Sequence, residues 1–206
     1  IWLYLLYPFS LLFSYLTSRR RRKFLKDKNK SYESEIPIIV VGNLTIGGTG
    51  KTPLVKYIAT ELINRGYKPG IVSRGYGGKF KETLKVDENT SVKETGDEAQ
   101  ILSKLNIPFY IDKNRVRAVD KINKNHDCDV IISDDGLQHY KMKRNIEIAV
   151  IDGKRRFGNN LTFPAGPLRE SIKRLDSVDF IVNNTGPTEE KEFLMNISPS
   201  EFVHLK

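Results

Sequence analysis

Between positions 36 and 65 the chain passes from a short β-branched run through a cluster of glycines into an amphipathic segment. Ile36-Pro37-Ile38-Ile39-Val40-Val41 leads to Thr45-Ile46-Gly47-Gly48-Thr49-Gly50-Lys51-Thr52, and Leu54, Val55, Ile58, Ala59 and Leu62 then follow at helical spacing until Gly66. A strand that enters a helix through glycines is the setting of a phosphate-binding loop. Glycines let backbone N–H groups turn inward around an anion, and the helix N-terminus adds partial positive charge. In that arrangement Thr45, Gly47, Gly48, Thr49, Gly50, Lys51 and Thr52 surround a nucleoside triphosphate. Lys51 reaches its β/γ oxygens, and the Thr52 hydroxyl holds Mg²⁺. Thr45 stands where the usual pattern has its first glycine.

Similar units recur along the body. Strands are expected at 69–73, 109–111, 128–133, 146–151 and 180–182, with helices at 98–105 and 115–123 and a weak hairpin over 83–86 and 91–93. Nearly all-apolar strands alternating with helices predict an α/β fold: a P-loop NTPase-like, mostly parallel sheet with helices on both faces. With 206 residues, the chain can bury roughly 70% of its unfolded surface and needs no covalent staple. Its single cysteine, Cys128, excludes an intramolecular disulfide and a cysteine-rich zinc site.

The formal charge of +9, from 34 basic and 25 acidic residues, at first suggests nucleic acid. Its distribution argues otherwise: positions 19–30 hold eight basic residues against Asp27, a local +7, and the remainder carries only +2. A nearly neutral body with a basic collar is a poor nucleic-acid groove. Before the collar, residues 1–16 are apolar and aromatic, broken by Pro8. Charge after the apolar stretch is the wrong polarity for a signal peptide, and the stretch is barely long enough to span a bilayer. Aromatics beside arginines suit a helix lying at the headgroup level, with the domain behind it facing the cytoplasm. The expected division is therefore a membrane-associated helix and linker over 1–34, the linker itself being 29–35, and a P-loop domain over 35–206. The chain begins at Ile1 and stops without a change of composition at Lys206, so both ends read as cut.

Val130-Ile131-Ile132-Ser133-Asp134-Asp135-Gly136 reads as a buried strand ending in two carboxylates. An acid on a strand beside a phosphate loop completes a Mg²⁺ shell. If the backbone stays extended, the two point to opposite sides, one to the metal and the other across the cleft. Gly96-Asp97-Glu98 opens a helix, where Asp97 is either an N-cap or a catalytic acid. Arg74, after a strand, lies at the carboxyl edge where ligands bind in open α/β sheets, and Arg169 and Glu170 are candidates for the same edge.

Together these motifs resemble the tetraacyldisaccharide 4′-kinases of lipid A synthesis. The residues that carry the resemblance run from Val41 to Pro53, then Ser73-Arg74-Gly75-Tyr76, Gly96-Asp97-Glu98, Asp134-Asp135-Gly136-Leu137-Gln138-His139 and Pro164-Ala165-Gly166-Pro167-Leu168-Arg169-Glu170. In this family's loop, Thr45 is the normal residue. The resemblance implies transfer of the ATP γ-phosphate, with Mg²⁺, to the 4′-hydroxyl of an acylated glucosamine disaccharide 1-phosphate at the inner-membrane surface, with no obligate protein partner. It makes Asp97 the acid that helps deprotonate the sugar hydroxyl, alongside Lys51 and Asp135 in catalysis, and places Thr52, Asp134 and Glu170 around the metal. Ser73, Arg74, Tyr76, Gln138, His139 and Arg169 are the implied substrate contacts. Family members extend further and pair the acid with a histidine in an Asp-His-Tyr-like motif; none of His126, His139 and His204 matches it. The chain therefore reads as the family's N-terminal two-thirds. Two alternatives stay open: a membrane-surface P-loop ATPase switch and a non-catalytic nucleotide-binding adaptor.

Overall fold

A computed structural model describes residues 2–27 and 30–198. Helix α1 (Trp2–Lys26) is followed by β1 (Ile38–Gly42), α2 (Lys51–Asn64), β2 (Pro69–Ser73), β3 (Leu84–Lys85), α3 (Val92–Thr95) and α4 (Asp97–Ser103). Then come β4 (Phe109–Ile111), α5 (Arg115–Asn125), β5 (Val130–Asp134), β6 (Ile146–Asp152), a 3₁₀ turn (Ile172–Ser177), β7 (Phe180–Asn184) and β8 (Glu192–Met195). The eight strands form one sheet in the order β3-β4-β2-β5-β1-β6-β7-β8. Every pairing is parallel except β3 with β4.

Alternate residues along each central strand feed two separate cores, as expected of strands covered on both faces. Val40, Val72, Tyr110 and Ile131 pack with Ala118, Val119 and Ile122 of α5. Their neighbours Val41, Ile71, Phe109, Ile111 and Ile132 pack with Leu54, Val55 and Ala59 of α2 and with Ala99 and Leu102 of α4. The expected α/β fold is the one observed.

Two local expectations are corrected. No hairpin joins 83–86 to 91–93: Val86 N–H donates to Phe109 O, which places β3 beside β4, while Ser91 caps α3 by accepting from Lys93 N–H. A further parallel strand, β8, follows β7. The expected linker is tied to the body over its described residues 30–35: Tyr32 bridges Met142, and Ser31 Oγ donates to Tyr140 O at 2.6 Å. The expected 1–34 and 35–206 division extends at both ends into residues outside those described, His204 among them.

Among the described residues, no helix is long and apolar enough to cross a membrane. Helix α1 nonetheless leaves Leu3, Tyr4, Leu5, Tyr7, Phe9, Leu11, Leu12, Tyr15 and Leu16 exposed.

Candidate active site

The glycine loop follows β1, whose neighbours in the sheet are β5 and β6. Gly47 (φ +105°) and Gly50 (φ +89°) take the left-handed backbone that glycine tolerates without strain. A Cβ on Gly50 would also lie 2.6 Å from Asn184 Nδ2. Three side chains hold the loop's carbonyls: Asn43 Nδ2 donates to Gly47 O (3.2 Å), Arg155 Nη2 to Gly48 O, and Asn184 Nδ2 to Thr49 O (3.2 Å). Gly50 is the N-cap of α2 and supplies no side-chain cap, so the first-turn N–H groups are left for a ligand. The Thr49 hydroxyl is buried without a partner. A 14-residue helix opening on carbonyl-braced glycines is an anion cradle. Lys51 and Thr52, at its first turn, are both buried.

Lys51 Nζ lies 3.8 Å from Asp135 Oδ1, and Arg169 Nη1 donates to both oxygens of Asp135 at 2.9 and 3.1 Å. Asp135 has φ +49°, so the backbone is not extended at the paired acids and the expected alternation of sides does not apply. Arg115 causes this local shape to persist: buried behind the turn, its Nη2 donates to the carbonyls of Asp134 (3.3 Å) and Asp135 (2.5 Å). Burial lowers the Arg115 pKa to about 10, which leaves it charged at neutral pH.

Asp134 is 1% exposed, and neither carboxylate oxygen has a hydrogen-bond partner among the described residues. Burial first, then the nearby Asp135 and Glu98 carboxylates, push its pKa up to about 6. A buried carboxylate without a donor costs several kcal/mol of lost solvation when ionised. Two unclaimed hard oxygens beside the loop are the donor set a Mg²⁺ ion takes.

A cleft of about 760 Å³ opens beside these groups. It brings together Arg74, Tyr76, Asp135, Gln138, His139 and Arg169 from the expected set, with Phe13, Thr17 and Arg20 of α1 forming part of the wall. Arg20, Arg74, Lys113, Arg115, Lys141 and Arg169 line the cleft with Asp135 as its single carboxylate, so the lining is strongly cationic. Ile46 and Phe163, both exposed, make an apolar margin.

Other expected residues are placed differently. Ser73 is buried in β2 and does not line the cleft. His139 is held neutral: burial, then Arg115 and Arg144, lower its pKa to about 3, so it offers no positive charge to a phosphate. Glu170 is buried, and its contacts are to neither Thr52 nor Asp134. Tyr140 OH donates to Oε1, Gln138 Nε2 donates to Oε2 at 3.3 Å, and Arg174 Nε lies 4.0 Å from Oε2. These partners orient the carboxylate and leave it lone pairs for a further contact. Asp97 is exposed at the first turn of α4 and forms no hydrogen bond among the described residues. Tyr76, in the loop after β2, is next to it: a Cβ on Gly96 would lie 2.1 Å from Tyr76 O. Gly96 also has φ +82°. Gly96→Ala is therefore expected to destabilise the fold by about 2 kcal/mol or more, measured by urea denaturation, and to displace Asp97. An unchanged midpoint would show that the loop after β2 does not fix this turn.

Sequence reasoning missed Arg115, Lys113, Arg155 and Arg20. The first three lie just beyond the carboxyl ends of β4 and β6, the same sheet edge as Arg74, so a search of every strand–loop junction for basic residues would have found them. Arg20 came from a collar whose direction only the packing of α1 reveals.

A family model described as tetraacyldisaccharide-1-P 4′-kinase matches residues 2–205. The chain belongs to the tetraacyldisaccharide-1-P 4′-kinase family. It is 45% identical over 204 residues to the tetraacyldisaccharide 4′-kinase of Shewanella denitrificans, covering 98% of this chain and 62% of that one. It is 46% identical to the Vibrio cholerae enzyme of the same name, with 98% and 61% coverage. The crystal structure of "apo" form LpxK from Aquifex aeolicus in complex with ATP superposes with a TM-score of 0.77 at 33% identity, over 85% of this chain and 56% of that chain. The chain thus spans about three-fifths of the length of these relatives of the tetraacyldisaccharide-1-P 4′-kinase family.

Proposed function

We propose that this chain binds MgATP at its glycine loop and forms the nucleotide-binding part of a lipid kinase. The product is the 1,4′-bisphosphate, made by γ-phosphate transfer to the 4′-hydroxyl of a tetraacyldisaccharide 1-phosphate. The observation that carries this reading is the uncapped N-terminus of α2, wrapped by a loop whose carbonyls are held by Asn43, Arg155 and Asn184 and flanked by Lys51 and Asp134, unpartnered among the described residues. Gly47, Gly48, Thr49 and Gly50 offer N–H groups to the triphosphate, with Thr45 at the loop's entrance, and Lys51 balances charge on its terminal oxygens. Thr52 and Asp134 would hold Mg²⁺, which when bound neutralises charge developing on the phosphates. Asp135, gripped by Lys51 and Arg169, fixes both cations at the mouth of the cleft.

The cationic cleft suits a phosphorylated acceptor, with Arg74, Tyr76, Gln138 and Arg169 as acceptor contacts. Asp97, beside Tyr76 at the start of α4, is the group that takes the proton of the attacking hydroxyl. Its exposure leaves its carboxylate open to an incoming acceptor. An acceptor carrying acyl chains has its hydroxyl at the headgroup level. The exposed apolar side of α1 and the basic collar seat the chain on the cytoplasmic surface of the inner membrane, which confines enzyme and acceptor to one plane.

The full-length protein with lipid A disaccharide 1-phosphate and MgATP is expected to yield the bisphosphate. Asp97→Ala is expected to lower kcat by about 100-fold or more while nucleotide affinity stays within about twofold. A variant with undiminished kcat removes Asp97 from the proton transfer. Slow ATP hydrolysis without transfer would favour a switch ATPase instead.

A further inference from the structure

Residues 162–170 form a strap that touches α1 on one side and the glycine loop on the other. Towards α1, Ser10 and Thr162 exchange bonds in a buried pair: Ser10 Oγ donates to Thr162 O at 2.6 Å, and Thr162 Oγ1 donates to Ser10 O at 2.8 Å. Phe13 meets Phe163 edge-on, with centroids 5.8 Å apart. Towards the loop, Ile46 N–H donates to Pro167 O (2.8 Å), Arg169 N–H to Leu44 O (2.6 Å), and Thr45 is bridged to Leu168.

A second line of contact runs parallel to the first. Phe24 of α1 stacks on Tyr140, Tyr140 OH donates to Glu170, and Gln138 joins Glu170 to Asn43 O at 3.1 Å. Asn43 in turn holds Gly47 O. Helix α1 is thus connected by two lines to the entrance of the phosphate cradle, residues 43–47, and none of these contacts touches Asp134, Asp135 or Lys51.

We propose that Thr162 and Tyr140 are positioning residues that couple the seating of α1 on a lipid surface to the shape of the glycine loop. The inference rests on the reading of that loop as an MgATP site. With its outer side unpartnered, α1 is held to the body by few contacts. Fixing it on lipid also fixes the strap and Glu170, so a nucleotide arriving afterwards meets a loop already ordered. By reciprocity, bound nucleotide strengthens the chain's hold on lipid by the same factor.

The test measures the dissociation constant of a fluorescent ATP analogue with Mg²⁺, with and without vesicles of phosphatidylethanolamine and phosphatidylglycerol in a 3:1 ratio. Proteins compared are the wild-type chain, Thr162→Val and Tyr140→Phe, each near-isosteric. Wild-type is expected to bind nucleotide about fivefold or more tightly on vesicles. The variants should co-sediment with vesicles and match wild-type affinity in their absence within about twofold, yet gain less than about twofold on vesicles. A wild-type gain below twofold overturns the proposal, as do failure to bind vesicles and variants that keep the full gain. A variant that loses affinity without vesicles as well has a merely structural role and also counts against it. If wild-type binds no nucleotide under either condition, the MgATP reading itself fails.

Discussion

Lys51→Ala is expected to lower phosphate transfer by about 100-fold or more and nucleotide affinity by about tenfold, with the fold intact. Lys51 is buried at the first turn of α2, and among the described residues its one ion pair is the 3.8 Å contact with Asp135. A preorganised donor aimed at developing charge is worth roughly 10²–10³ in rate. A charge-assisted bond to the ground-state phosphate is worth about 1.5–3 kcal/mol. Asp135 keeps Arg169 when the lysine is lost, so its own carboxylate is not left unpaired. Circular dichroism would confirm the fold, and equilibrium binding and turnover would give the two ratios. A variant within about twofold of wild-type in both would remove the loop from the chemistry.

Asp134→Asn is expected to act in opposite directions on stability and on activity. The native carboxyl, with a pKa of about 6, holds its proton more tightly than the unfolded chain, near 3.9. Its stabilising contribution is therefore fully present below the unfolded value and is lost as pH rises through about 6. At pH 8 the ionised, unpartnered group is a net cost. The neutral amide removes it, worth about 2 kcal/mol or a Tm rise of roughly 4–8 °C in the nucleotide-free protein. The fall in Tm between pH 4 and pH 6.5 should flatten in the variant. The same change deletes the anionic oxygens proposed for Mg²⁺, so Mg²⁺-dependent stabilisation by ATP should vanish, and turnover should drop by about 100-fold or more. Thermal melts across pH, with and without MgATP, decide the matter. A variant melting no higher than wild-type at pH 8 would contradict the burial argument.

Much of the architecture was legible because the strongest local signals agreed with the fold. Ile38 to Val41 and Val130 to Ser133 are near-continuous apolar runs because both faces of their strands are covered. The glycine loop was legible because its requirements are backbone requirements. What failed depended on distant partners. Strand β8 keeps Phe193 and Leu194 exposed and follows a polar segment, so it carries no buried-strand pattern. The alternation assumed for Asp134 and Asp135 broke at a left-handed residue that Arg115 clamps from α5. The neutrality of His139 and the engagement of Glu170 by Tyr140 arise from packing across the sheet edge, which spacing along the chain does not encode.

The register of β1 has a bearing on how the molecule is made. Ile38 pairs with Ile131, and Ile39 with Ile146, so the strand that carries the loop has both neighbours only after the ribosome has delivered the chain as far as β6. Until β5 emerges an apolar strand waits without its sheet neighbours behind an apolar helix, and until β6 emerges one of its edges stays open, an order of synthesis that exposes the nascent chain to aggregation. Translation speed across residues 130–152, and chaperone occupancy before them, should govern the yield of folded protein more than any substitution at the surface.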